Sequence, residues 1–298
     1  MLMLKGITYA HPNKDILFTD LSLVVNRHDK LSLVGNNGTG KSTLLKIMAG
    51  QLPPLSGTIT ADGRIYYVPQ HFGQFDDHTV AQAMQVASKL HALEAILAGD
   101  VSEQHLATLN DDWSIEERCA DALAYWQLDG ISLSQKMGLL SGGQKTKVFL
   151  AGATIHQPGV VLLDEPGNHL DAAGRAILHD YISSTNSALV VVSHDRALLD
   201  LLPVTCELSK AGLIAYGGNY SFYAAQKAIE QNAFHQELRG KEKELRKAKE
   251  IERQTNERRQ KLDARGKKKQ EKAGLPTISM NTLRNNAEKS SARIKAMH

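Results

Sequence analysis

Eight residues, Gly35-Asn36-Asn37-Gly38-Thr39-Gly40-Lys41-Ser42, have the composition and spacing of a loop that cradles phosphate. Glycines let the backbone fold tightly enough for its N–H groups to converge on an anion. Leu31–Val34 before the loop reads as a strand, and Lys41–Ala49 after it as a helix stopped by Gly50. The N-terminus of that helix adds partial positive charge. Lys41 is then placed to reach the β- and γ-phosphates of a nucleotide. Ser42 and Thr43 open the helix, with Ser42 a ligand for Mg²⁺. Farther along, four consecutive apolar residues, Val160–Leu163, read as a buried central strand. Asp164 and Glu165 at its end are costly there unless they hold a cation or do chemistry. Downstream of a phosphate loop, Asp164 is expected to hold Mg²⁺, directly or through water. Glu165 is expected to orient or deprotonate an attacking water.

A third group, Ser141-Gly142-Gly143-Gln144, precedes a helical run from Lys145 to Ile155. A Ser hydroxyl and Gly N–H groups at a helix N-terminus make an anion site. Its place between the phosphate loop and the acidic strand resembles the signature motif of the ATP-binding cassette family. That resemblance implies ATP and Mg²⁺ as ligands. It also implies that Ser141–Gln144 bind the γ-phosphate of a nucleotide held by an opposite domain. Gln70, in Val68-Pro69-Gln70, resembles the family's Gln loop, which links Mg²⁺ and water to a helical subdomain. Asn168-His169-Leu170-Asp171 resembles the D-loop, which crosses the dimer interface. His194 resembles the switch histidine at the γ-phosphate, and Tyr9 sits where the family places a ring against adenine.

Four features resemble the soluble F group of the family, whose members act on ribosomes. They are Leu140–Lys147, the Asn168–Asp171 D-loop, the stretch Tyr216-Gly217-Gly218-Asn219-Tyr220-Ser221-Phe222-Tyr223, and a basic helical tail after it. In that group such a tail joins two cassettes and contacts transfer RNA and ribosomal RNA. Two departures stand out. Gly167 replaces the group's usual Thr, which would loosen the D-loop turn, and the chain stops at His298, where a second cassette would begin. The expectation is therefore a partner cassette, from a longer chain or a second copy, because one cassette cannot close a site alone. Two rivals are the nucleotide-binding subunit of a membrane transporter and a non-catalytic ATP-sensing module. The basic tail argues against the first, and intact Glu165 and His194 against the second.

The elements that must position these residues follow from pattern. Leu4–Tyr9 and Ile16–Val25 alternate as strands, residues 77–130 read as helical, and Val160–Ser193 as a second strand–helix block. The fold class expected is α/β: a phosphate-loop cassette at residues 1–225, with a parallel core sheet, an antiparallel β subdomain and a helical subdomain near 77–145. Residues 226–298 are expected to form a basic helical hairpin. Phe234, Leu238, Leu245, Ala248, Thr255 and Leu262 make a narrow apolar seam on its first helix. Gly266–Gly274 and Pro276 are expected to break that helix, and Leu283, Ala287 and Ile294 mark a second one. Residues 226–298 carry 20 Lys+Arg and 10 Asp+Glu, a net of +10, whereas residues 1–225 carry 15 and 22, a net of −7. An acidic body with a basic tail is a signature of binding to nucleic acid or an anionic surface. Lys267, Lys268 and Lys269, at the expected turn, are the candidate RNA contacts. No apolar run is long enough to span a bilayer, and Met1–Ala10 carries no signal-peptide pattern. Two widely separated cysteines, Cys119 and Cys206, fit reduced thiols in a cytoplasmic protein.

Overall fold

The computed structural model describes residues 1–272, 281, 282 and 284–289. The chain divides into two units, Met1–Gln226 and Lys227–His298. The first unit begins with β1 (Leu2–Ala10), β2 (Ile16–Val25), β3 (Lys30–Val34) and α1 (Lys41–Met48), followed by β4 (Ser56–Ala61) and β5 (Ile65–Val68). A helical stretch comes next: α2 (Val80–Ala83), α3 (Ala87–Leu97), α4 (Glu103–Leu109), α5 (Ile115–Tyr125) and α6 (Gly142–His156). The chain returns to the sheet through β6 (Val160–Asp164), α7 (Ala172–Ser184), β7 (Ala188–Val192), α8 (Arg196–Leu199), β8 (Val204–Ser209) and β9 (Gly212–Tyr216). One long helix, α9 (Tyr220–Lys272), follows.

Two sheets result. β2, β1 and β4 form an antiparallel sheet in that order, and six strands form the main sheet in the order β5-β6-β7-β3-β8-β9. All neighbours in the main sheet are parallel except β9, which returns antiparallel on β8. Every residue of β6 and β7 is buried, as expected for strands covered on both faces. The period of two sorts their side chains between two cores. Val161 and Leu163 join the helical side with α2–α7, while Val160 and Leu162 join the side that packs α1 and the antiparallel sheet. No helix among the described residues is long and apolar enough to cross a membrane.

α9 departs from the sequence expectation. It does not break at Gly266 but continues through Lys267–Lys269 to Lys272, so these lysines lie on a helix rather than at a turn. Lys, Gln, Glu and Arg are good helix formers, and a single exposed glycine costs only about 1 kcal/mol, too little to end a long helix. Pro276, the stronger breaker, lies outside the described residues. Residues 284–289 are helical, whereas Leu283 and Ile294 of the expected second stripe lie outside the described residues. The first turn of α9 is anchored: the Ser221 N–H and Oγ each donate to the Asp200 carboxylate at 2.7 Å. A carboxylate at a helix N-terminus also meets its partial positive charge.

Candidate nucleotide site

The phosphate loop joins β3 to α1. Gly35 has φ +152°, and a Cβ there would lie 2.3 Å from the Leu208 carbonyl oxygen, so only glycine fits. Gly40 caps α1 with φ 96°, and Thr39 closes the loop by donating from Oγ1 to the Asn36 carbonyl at 2.9 Å. Lys41 Nζ donates to the carbonyls of Gly35 at 2.8 Å and Asn36 at 3.2 Å. Burial pulls its ammonium below its usual range, opposed by the charges of Glu165 and Asp164.

Asp164 ends β6, which lies between edge strand β5 and β7 in the main sheet, and Glu165 follows it. Asp164 is 1 % exposed; its Oδ1 accepts from Ser42 Oγ at 3.0 Å and its Oδ2 from the Tyr67 hydroxyl at 3.1 Å. Burial raises its carboxyl above the usual range, against these two hydrogen bonds. Glu165 adopts φ +51°, a left-handed conformation uncommon for a residue other than glycine. Its N–H pairs with the Val192 carbonyl at 2.8 Å, which holds the strained residue beside β7. Its carboxylate accepts from the His194 N–H at 3.2 Å, and Oε1 lies 3.4 Å from His194 Nε2. Burial raises the Glu165 carboxyl, with His194 opposing.

A cleft of 440 Å³ gathers these groups. Asn37, Gly38 and Gly40–Thr43 line one side, and Gln70, Glu165 and His194 another. Gly35, Asn36, Lys41 and His194 also line a smaller neighbouring cavity of 200 Å³. The donors suit Mg²⁺: one hydroxyl, Ser42, lining the cleft with Gln70, and one buried carboxylate, Asp164, hydrogen-bonded behind it, all oxygen. That is the sparse set a cation uses when substrate phosphates and waters complete its shell. Among the described residues no group of three His, Cys, Asp or Glu could hold a metal by itself.

The remaining sequence-predicted residues are placed elsewhere. Tyr9 does not line the cleft; it packs toward Phe18, with ring centroids 6.1 Å apart. His11 and Leu17 line the cleft instead. Pairing of β1 with β2 shifts register around Tyr9, which a sequence pattern cannot reveal. Ser141–Gln144 do not enter the cleft. Ser141 caps α6, accepting from the Gln144 N–H at 3.3 Å while Gln144 Oε1 accepts from the Ser141 N–H at 2.9 Å. Gly142 and Gly143 pack on His169; a Cβ on Gly143 would come within 2.6 Å of its carbonyl oxygen. Asp171 caps α7, accepting from the Gly174 N–H at 2.8 Å, and Asn168 is exposed. A Cβ at Gly167 would meet nothing within 4 Å, and the residue has no positive φ, so its backbone does not demand glycine. Lys267 and Lys268 are exposed on α9, and the side chain of Lys269 lies outside the described residues. Tyr67 was not legible as a site residue in the sequence, because only strand pairing brings it to Asp164.

Comparison with known proteins identifies the family. The ABC transporter family profile matches residues 18–168. The chain is 32 % identical over 260 residues to the tylosin resistance ATP-binding protein TlrC of Streptomyces fradiae, covering 79 % of this chain and 47 % of that protein. It is 30 % identical over 214 residues to Protein GCN20 of Saccharomyces cerevisiae, covering 72 % and 26 %. It is 28 % identical over 234 residues to ABC transporter F family member 2 of Arabidopsis thaliana, covering 78 % and 32 %. The chain thus spans less than half the length of these relatives. Among solved structures, the ATP-binding subunit of an ABC transporter superposes with TM-score 0.60 at 21 % identity, covering 77 % of this chain and 94 % of that one. A dimeric ATP-binding cassette in a post-hydrolysis state bound to ADP and Pi superposes with TM-score 0.56 at 21 % identity, covering 73 % and 98 %. With a phosphate loop, an acidic strand end and a capped signature helix in this order on this fold, the chain belongs to the ABC transporter family, as an ATP-binding cassette of its F group.

Proposed function

We propose that the cassette binds Mg·ATP at the phosphate loop and hydrolyses it when a second cassette supplies Ser141–Gln144 from the opposite side. The observation that carries this reading is the convergence of Ser42, Asp164, Glu165 and His194 around Lys41, from three separate segments of the chain. The loop N–H groups and the Lys41 ammonium bind the β- and γ-phosphates. Bound Mg²⁺ would neutralise charge developing on the transferred phosphoryl group. Ser42 and Asp164 would hold that ion, with Gln70 at its edge. Glu165 accepts a proton from the water that attacks the γ-phosphorus as the bond to the β–γ bridging oxygen breaks. Its buried, raised carboxyl suits a base more than a surface carboxylate would. His194 orients that carboxylate and faces the γ-phosphate, and Asn168 and Asp171 serve the interface with the partner cassette. His11, rather than Tyr9, is the ring available to stack on the base.

The finer reading is that ATP binding and hydrolysis are coupled to binding of the ribosome and its transfer RNA in the cytoplasm, with the ATP-bound closed state the one that binds. The F-group relatives and the net charge of +10 on residues 226–298 support it. Tagged protein incubated with ATP, and with Glu165→Gln to hold the closed state, should co-sediment with ribosomes. Co-purification with a membrane protein and no ribosome binding would instead favour the transporter subunit.

A further inference from the structure

We propose that Tyr67 is a positioning residue for Mg²⁺: its hydroxyl holds one oxygen of Asp164 and so presents the other to Ser42. The inference rests on the reading of Ser42 and Asp164 as the pair that would hold the ion.

Sheet register produces the contact. β5 and β6 are parallel, with Tyr67 opposite Leu162 and Val68 opposite Leu163. Side chains two apart on a strand share a face, so Asp164 lies on the face of Leu162 and diagonal to Tyr67. Diagonal neighbours are within reach of an aromatic side chain. The Tyr67 hydroxyl meets Asp164 Oδ2 at 3.1 Å, while Ser42 Oγ meets Oδ1 at 3.0 Å. Tyr67 is 7 % exposed and Asp164 1 %, so water cannot readily replace the tyrosine hydroxyl as a donor. The carboxylate's last torsion is broad and two-fold, and a donor on each oxygen removes that freedom. Without the hydroxyl, Oδ2 would be a buried oxygen lacking its donor. Turning to find another would take Oδ1 away from Ser42. Tyr66 supplies an internal contrast. It points to the opposite core, where its hydroxyl lies 3.5 Å from the Ala83 carbonyl.

The test uses the full chain and a fluorescent ATP analogue as probe. Its affinity is measured in EDTA and then as a function of Mg²⁺ concentration. Tyr67→Phe keeps the ring and should leave affinity in EDTA unchanged. The Mg²⁺ concentration for half-maximal tightening should rise about tenfold, equivalent to about 1.4 kcal/mol. Tyr67→Met, which also lacks a hydroxyl, should shift that midpoint by the same factor. Tyr66→Phe, which loses a hydroxyl on the other face, should not move it. A wild-type Mg²⁺ midpoint in Tyr67→Phe overturns the inference. So does a shift in Tyr67→Met alone, which would mean packing rather than the hydroxyl. Probe binding by the wild type that ignores Mg²⁺ would instead remove the Mg·ATP reading itself, and the inference with it.

Discussion

Glu165 combines burial, positive φ and a close histidine, and each has a measurable consequence. Glu165→Gln preserves size but cannot accept the proton. Hydrolysis should fall by at least about 10²-fold while nucleotide binding persists, measured as steady-state turnover beside equilibrium binding. The same variant tests the raised carboxyl. A group whose folded pKa lies above its unfolded value of 4.5 contributes full stability below that value and loses it as pH rises through the folded pKa. At neutral pH the wild type therefore carries the cost of a buried charge that glutamine does not. Glu165→Gln should melt higher than wild type at pH 7 to 8, and the gap should close on acidification toward pH 4.5. A gap that is constant with pH would contradict this. Gly167 makes a second prediction at this scale. With no positive φ and open space where a Cβ would go, Gly167→Ala should stabilise the fold by about 0.4–1 kcal/mol, through a less free unfolded chain. Chemical denaturation measures it, and destabilisation would mean that the D-loop turn needs glycine after all.

At the scale of elements, α6 links two loops. Its N-cap, Ser141, closes a reciprocal capping box with Gln144. Lys145, one residue on, pairs with Asp76 at 2.6 Å, in the segment that follows Gln70. Phe149, one turn farther, stacks on Phe72 at 5.3 Å between ring centroids and meets Phe75 edge-on at 4.9 Å. The signature helix and the Gln70 segment are therefore joined by both an ion pair and a ring cluster. Ser141→Ala should cost about 1 kcal/mol of stability through the lost cap. Ser141→Arg should leave ATP binding to the monomer nearly intact, because no signature residue lines the cleft. ATP-driven association should be lost in that variant, by gel filtration or light scattering. Equal loss of monomer binding in Ser141→Arg and Lys41→Ala would contradict a site shared between two cassettes.

At the scale of the whole molecule, charge separates the two units. Residues 1–225 carry a net of −7 and residues 226–298 a net of +10, so an anionic partner is drawn to the second. α9 carries Lys267 and Lys268 exposed near its described end, and Ile229, Phe234, Leu238, Leu245 and Leu262 are exposed along it. Replacing Lys267, Lys268 and Lys269 with Ala should weaken binding to structured RNA or ribosomes. It should also flatten the log–log salt slope by roughly 0.7 to 0.9 for each phosphate no longer neutralised, and leave ATP binding untouched. Filter binding or sedimentation across salt concentrations reads both effects. Equal affinity for wild type and the triple variant would reduce these lysines to a solvated face and favour the transporter reading.

Local chemistry was legible in sequence wherever one short segment carries all its own causes. The loop Gly35–Ser42 announces itself because a glycine-rich turn between strand and helix has few other uses. Val160–Glu165 does so because carboxylates at the end of a buried strand demand a purpose. The α/β order followed from periodicity. Contacts between segments distant in sequence were not legible. Tyr67 reaches Asp164 across 97 positions through the register of β5 on β6, and His11 rather than Tyr9 lines the cleft. The strained φ of Glu165 is held by a β7 carbonyl that no local pattern foretells. The turn expected at Lys267–Lys269 is helix for the opposite reason: over a run of strong helix formers, summed propensity outweighs the one glycine at position 266. Sequence by itself determined which groups are present and in what order. Tertiary structure decided which of them touch, because pairing register and burial are properties of strands brought together and not of any one strand.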